Sequence, residues 1–312
     1  MATMDIRFSK MLQRIRPDEG EVERAIRSHH YMRNRLEEKE WVLTTFLTGS
    51  YPRKTATRPL HDVDILCVVD PHWARPKTAA NIQTHVEHAL QTIYRNTSIR
   101  RQSHSLGVDF SSQRVGYDVI PAVPHGEYYM ITERDSSHRG GRFIPCHPKA
   151  VEEAKVRANA CTKPEGRMLH MIRLMKHWNC KNGKKIKNFH IEVLCYSAAD
   201  VITSDRYPYF HHACPALLEF LAETVEDDCF VPGLEAFELG NLRKTRAGIE
   251  LRAFSNTLVN AAAKANMAVY RERQGDDRTA NKIWQDLFGN DVFVVPQVTI
   301  SLPYDRRYGS LY

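Results

Sequence analysis

The chain has 312 residues, enough for a large core in one or two domains, and its 42% hydrophobic and 26% charged side chains are those of an ordinary globular protein. No apolar stretch approaches the ~20 residues that span a bilayer, Met1 to Lys10 lacks a signal-peptide core, and seven cysteines without a Cys-x-x-Cys pair read as reduced thiols of a cytoplasmic protein, not as a disulfide framework. Forty-four basic against 37 acidic side chains leave a formal +7, which suits anionic partners without separating nucleotides from polynucleotides or acidic lipids.

Pro17 to Glu40 reads as a polar helix, with Asp18, Glu19 and Glu21 at the positive end of its dipole and Val22, Ile26, Met32 and Leu36 as its apolar positions. Trp41 to Leu47 is β-like, rich in β-branched and aromatic residues. A turn at Gly49-Ser50 follows, then a strand from Asp62 to Val69. Thr78 to Tyr94 is helical, because Ile82, Val86, Ala89, Leu90 and Ile93 recur every three or four residues. Ile99 to Phe110, Val115 to Val123 and Tyr128 to Ile131 are expected strands. This alternation implies a mixed sheet with helices on it. After Pro148 the pattern becomes helical: Ala150–Ala160, Arg167–Trp178, Phe189–Ile202, Cys214–Val225, Ala247–Tyr270 and Thr279–Phe288. The expected fold class is α+β, with a catalytic lobe over residues 1–150, a helical lobe over 151–312, and the active site in the cleft between them. Ser301 to Tyr312 is turn-rich and expected to fray.

The chemistry gathers between Thr48 and Asp70. Alternate residues of a strand share a face, so Asp62 and Asp64 point the same way at the mouth of a strand whose next five residues, Ile65 to Val69, carry no charge. Two carboxylates ~4 Å apart repel by roughly 4 kcal/mol at an effective dielectric near 20. Water, protonation of one carboxylate, or a cation between them relieves this. Magnesium favours carboxylate oxygens together with substrate phosphates, and a Gly-Ser turn can offer backbone N–H groups and a hydroxyl to those phosphates. An isolated Asp-x-Asp is more often a solvated strand end, and the upstream turn with Arg53 and Thr55 distinguishes this one.

Gly49-Ser50-x-x-Arg53-x-Thr55 followed by Asp62-x-Asp64 entering an apolar strand resembles the signature of the polymerase-beta-like nucleotidyltransferases, and within them the cGAS/DncV-like group (CD-NTases) of bacterial antiphage defence (CBASS). The resemblance implies a third acid on a later strand, and Asp118 in Val115-Gly116-Tyr117-Asp118-Val119 fits. It also implies that Gly49 and Ser50 bind the β- and γ-phosphates, and that Lys176 reaches the triphosphate from its helix. Asn188 stands where the family's next helix begins with Ser, as a further nucleotide contact. Asp62, Asp64 and Asp118 would then be both catalytic residues and ligands of Mg2+ or Mn2+, with Asp118 near the acceptor hydroxyl.

Other residues carry weaker signals. Arg53 either supports the turn or meets phosphate; Thr55 reads as a local cap and Glu192 as structural. Tyr117 faces the opposite side from Asp118. Phe230 is either core or a base-stacking aromatic. Lys181 to Lys187 and Arg139-Gly140-Gly141-Arg142 are basic loops, solvated or anion-binding. His211, His212 and Cys214 offer zinc-type ligands, but with no second pair for a four-ligand structural site.

The expected function is metal-dependent joining of nucleoside triphosphates (ATP, and GTP, UTP or CTP) into a cyclic di- or trinucleotide or a linear oligonucleotide. A downstream effector would read this messenger, and a regulatory protein or nucleic acid would activate the enzyme. Two rivals stand beside it: nucleotidyl transfer to an RNA end or protein hydroxyl, and a non-enzymatic nucleic-acid-binding module suggested by the charge and the 181–187 loop.

Overall fold

The uncharged run after Asp64 forms the centre of the sheet. A computed structural model describes residues 2–60, 62–110, 115–135, 138–162, 166–183, 185–203, 205–245 and 248–294. Strand β2 (Asp62–Val69) lies between antiparallel β1 (Val42–Thr48) and parallel β5 (Val115–His125). A strand covered on both faces needs apolar side chains on both. Val63, Ile65 and Cys67 accordingly pack with Tyr117 and Val119 against helices α2 (Glu19–Glu37) and α4 (Ala79–Ile93), while Leu66 and Val68 pack with Ala122 on the other face.

The rest of the sheet grows from β5. Its first half pairs antiparallel with β4 (Leu106–Phe110), which pairs with β3 (Ile99–Arg101). Its last residues pair with β6 (Tyr128–Asp135), which pairs with β7 (His138–Cys146). The single strand expected over 99–110 is thus a hairpin, turned at residues 102–105 where Gln102 N donates to Ser105 O at 2.9 Å. Arg139 to Arg142, expected as a loop, belongs to β7. Its glycines explain both the misreading and the geometry: Gly141 has φ +67°, and a Cβ there would lie 2.5 Å from the Glu133 carbonyl oxygen.

Helix α2 starts at a capping box, in which Glu21 N donates to Asp18 Oδ1 (2.7 Å) and Asp18 N to Glu21 Oε2 (2.8 Å). Its inward stripe is Ala25, Met32 and Leu36, and Ile26 faces solvent. A one-turn helix α3 (Pro71–Ala74) follows β2. The helical lobe comprises α5 (Pro148–Cys161), α6 (Arg167–Lys181), α7 (Asn188–Ser197), α8 (Phe210–Thr224), α9 (Gly248–Arg273) and α10 (Asp277–Phe288).

One helix lies where the division at residue 150 did not place it. Helix α1 (Ala2–Ile15) buries Met4, Phe8, Met11, Leu12 and Ile15 in the core of the helical lobe, not against the sheet. Phe8 meets Trp284 edge-on at 4.8 Å between centroids and Phe293 at 5.4 Å. Both ends of the described chain therefore build this lobe. Residues 301–312 and Lys184 lie outside the described residues.

Candidate active site

Pairing register brings the three acids together. Asp62 and Asp64 share a face of β2, and Asp64 stands directly opposite Asp118 on β5. Residues in register on neighbouring strands point to the same side, so all three carboxylates belong to the face that continues inward as Leu66 and Ile120. Tyr117 faces the other way, buried, and donates its hydroxyl to Ala25 O at 3.0 Å. Asp109, across from Gly116 on β4, adds a fourth acid nearby.

The charges feel one another. Burial pushes Asp64 up to about 7, and the Asp118 charge adds to this against the opposing pull of Arg53. Burial, then Asp62, pushes Asp118 up to about 6. Gln102 Nε2 donates to Asp118 Oδ1 at 2.8 Å, a partner that sequence reasoning missed because it lies on the turn between β3 and β4. Asp64 and Asp118, whose ionised forms are disfavoured, make with Asp62 a donor set suited to a hard divalent cation. The three are not drawn into the tightest cluster of ligating groups: among the described residues, the trio whose ligand atoms all lie within 4.8 Å is His211, His212 and Glu272.

The Gly-Ser turn abuts this acid face. Thr48 pairs with Asp64 across β1 and β2. Gly49 has φ +74°, and a Cβ on it would sit 1.7 Å from Asp64 Oδ2. Glycine is therefore required twice, for the backbone conformation and for the approach to the carboxylate. Ser50 O accepts from Thr55 N (3.0 Å) and Ala56 N (3.1 Å), closing the turn. Gly49, Ser50 and Asp64 line a cleft of about 760 Å3 between the sheet and the helices, a volume in the range of small-molecule sites.

Arg53 and Lys176 line the cleft too, but their charged groups are turned to another task. Glu192 on α7 accepts from Arg53 Nε (2.6 Å) and Tyr196 Oη (2.7 Å) on Oε1, and from Thr55 Oγ1 (2.9 Å) and Lys176 Nζ on Oε2. Lys176 Nζ also donates to Thr55 O (3.2 Å) and Thr55 Oγ1 (3.1 Å). An ammonium has three donors, and these partners occupy them. Lys176, expected to reach a triphosphate, lines the cleft with its ammonium held on Glu192 and Thr55. Burial pushes Glu192 up, but Lys176 and Arg53 outweigh it and hold the carboxyl down to about 2. This buried network pins the turn after Ser50 to α6 and α7, more than 100 residues away in sequence. Arg53 through its Nε, Thr55 and Glu192 thus tie the turn to the helical lobe.

Asn188 lines the cleft at the start of α7, where its Oδ1 accepts from Asn179 Nδ2 at 3.0 Å. The first turn of α7 has no side-chain cap. Lys187 before it and Arg142 on β7 also line the cleft, Arg142 paired through Nε with Glu133 Oε2. From the 181–187 loop, Lys181 is instead spent on the Gln285 and Asp286 carbonyl oxygens at the end of α10. Phe189 is the aromatic ring lining the cleft among the described residues, with the Arg53 guanidinium 5.4 Å from its centroid. Phe230 pairs with Asn241 in an isolated bridge, and its neighbour Val231 lines the cleft.

A mixed sheet presenting acids beside a Gly-Ser turn, with a helical lobe across a cleft, is the fold of the CD-NTases. Residues 1–159 match the Second Messenger Oligonucleotide or Dinucleotide Synthetase domain (SMODS), and the chain belongs to this family. A cyclic AMP-AMP-AMP synthase from Acinetobacter sp. is 25% identical over 314 residues, covering 92% of this chain and 85% of that protein. Among solved structures, the Escherichia coli MS115-1 CdnC:HORMA-deltaN complex is similar at TM-score 0.72 and 16% identity, over 91% of this chain and 95% of that one. The Bradyrhizobium diazoefficiens CD-NTase CdnG in complex with GTP is similar at TM-score 0.71 and 14% identity, over 93% and 96%.

Proposed function

We propose that this protein joins nucleoside triphosphates, releasing pyrophosphate, into a cyclic di- or trinucleotide or linear oligonucleotide that signals in antiphage defence. The observation that carries this is the in-register placement of Asp64 and Asp118, with Asp62 on the same face and Gly49 packed against Asp64, which of the three acids lines the cleft of about 760 Å3. Membership of the synthetase family supports it.

Asp62, Asp64 and Asp118 are the groups that would hold Mg2+ or Mn2+. Such ions, when bound, neutralise charge on the triphosphate and the leaving pyrophosphate. The chain's own residues bind and orient the reactants. The Gly49–Ser50 turn offers N–H groups and a hydroxyl to the β- and γ-phosphates, and the uncapped first turn of α7, with Asn188, Lys187 and Arg142 near it, attracts the rest of the anion. Phe189 gives a base a ring to lie against. Lys176 and Arg53 act at one remove, by holding the turn. A ribose hydroxyl of one nucleotide then attacks the α-phosphorus of another: the O–P bond forms, the bond to the bridging oxygen breaks, and pyrophosphate carries away the electron pair. Gln102 occupies Asp118 Oδ1, which leaves Oδ2 to take the hydroxyl proton.

The substrates are ATP and further nucleoside triphosphates. A downstream effector binds the product, and the similarity to a CdnC solved with HORMA-deltaN supports a regulatory protein partner. Incubation with each α-labelled triphosphate and magnesium or manganese tests the assignment. Small phosphatase-resistant products, resolved by mass and linkage-specific nuclease, are expected; label confined to RNA or protein would overturn it.

A further inference from the structure

Away from the cleft, one cluster of ligating side chains has no part in nucleotidyl transfer. His211 and His212 open α8, and Glu272 stands one residue before the end of α9, which packs along α8. Their ligand atoms all lie within 4.8 Å of one another. The side chains of His211 and Glu272 are 0% and 3% exposed. His211 Nε2 is 2.9 Å from Glu272 Oε2, and His212 Nε2 is 3.9 Å from the same oxygen.

These approaches are not hydrogen bonds. Neither histidine Nε2 and neither Glu272 oxygen has a hydrogen-bond partner among the described residues, although all four atoms are buried. Buried polar groups in folded proteins are almost always satisfied, and such a cluster bears the desolvation cost in full. What satisfies two imidazole nitrogens and a carboxylate oxygen that converge is a cation.

We propose that His211, His212 and Glu272 bind one zinc ion, separate from any cation at the aspartates. Two nitrogens and one oxygen suit a borderline divalent ion with an open fourth position. Bonds of about 2.0–2.2 Å in tetrahedral geometry set ligand atoms roughly 3.3–3.6 Å apart, inside the 4.8 Å that spans the three atoms here. Asp5 of α1 lies on the other side of the ring: its Oδ1 is 4.0 Å from His211 Nδ1, beyond hydrogen-bond reach, and accepts from Phe210 N at 3.4 Å, which ties α1 to the start of α8. The ion would fasten α8 to α9. The sequence offered the two histidines with Cys214 and no second pair; the cluster takes Glu272, some 60 residues on, and not Cys214.

The test uses the full chain. Purified protein is equilibrated with micromolar zinc, freed of excess and assayed for bound metal, and thermal unfolding is followed with zinc, with magnesium and with a chelator. About one zinc per chain is expected, with a midpoint that zinc raises by several degrees, chelator lowers and magnesium leaves unmoved. Glu272→Gln and the less buried His212→Ala should lose the zinc, whereas Asp62→Asn with Asp64→Asn should keep it. If Glu272→Gln does not fold, His212→Ala and chelated wild type decide. Wild type that retains no stoichiometric zinc, or His212→Ala that retains as much as wild type, overturns the site and leaves the nucleotidyltransferase assignment untouched.

Discussion

Glu192→Gln removes one negative charge from a buried site that holds two positive ones. The carboxylate accepts from Arg53, Tyr196, Thr55 and Lys176. Burial raises its pKa, and Lys176 and Arg53 override this to hold it at about 2, below the ordinary 4.5. At about 1.4 kcal/mol per pKa unit, that depression is worth roughly 3 kcal/mol at neutral pH. Its folded value lies below its unfolded one, so the contribution is complete above about pH 4.5 and is lost as the pH falls toward 2. Independently, removing one partner of a buried ion pair costs roughly 3–5 kcal/mol, because the remaining charge is stranded. The expected loss for Glu192→Gln is therefore about 3 kcal/mol in urea unfolding followed by circular dichroism. Nucleotidyl transfer should fall at least ~10-fold with it, since Arg53 and Thr55 position the turn beside Asp64. Adding Lys176→Met removes one stranded cation and should restore about 1–2 kcal/mol relative to Glu192→Gln alone. A loss below about 1 kcal/mol, or a double variant no more stable than Glu192→Gln, would refute the buried ionised network.

Three further substitutions probe the acid face. Gly49→Ala places a Cβ 1.7 Å from Asp64 Oδ2 at φ +74°; turnover should fall ~100-fold while stability falls by only ~1–2 kcal/mol, and wild-type turnover would show that the position of Asp64 is not critical. Asp64→Asn should abolish turnover yet stabilise the fold. Burial and Asp118 raise the Asp64 pKa from 3.8 to about 7, so stability present below about pH 3.8 is lost as the pH rises through 7. At pH 8 in the absence of divalent ions the neutral amide should gain roughly 1–3 kcal/mol, and a destabilised variant would contradict this. Gln102→Leu frees Asp118 Oδ1 from its 2.8 Å hydrogen bond; kcat should drop ~10-fold with KM little changed, whereas an unaltered kcat would remove Gln102 from the catalytic arrangement.

What the sequence revealed and what it concealed divide along physical lines. Strand β2 was legible to the residue, because an uncharged run bounded by acids has few other homes. The match of Asp118 to Asp64 followed from one motif and one resemblance, and pairing register then supplied what sequence cannot, the face they share. The buried partners of Lys176 were hidden, because they are Glu192, 16 residues on, and Thr55, 121 residues back. A helical lysine beside an apolar stripe looks the same whether it snorkels to solvent or is buried on a carboxylate. Strand β7 was hidden by Gly140 and Gly141, which lower β-propensity where the strand needs close approach to Glu133 and α4. Helix α1 did carry a readable stripe, Met4, Phe8, Met11, Leu12 and Ile15, but no periodicity says which lobe will cover it.

Pyrophosphate release from α-labelled triphosphates, in wild type and in Asp62→Asn, Asp64→Asn and Asp118→Asn, each confirmed as folded by circular dichroism, addresses the shared role of the three carboxylates most directly. Wild type should release pyrophosphate in proportion to the labelled oligonucleotide it forms, and all three variants should release none above background. Wild-type rates in any one of them would mean that the acids on β2 and β5 do not act as a single site.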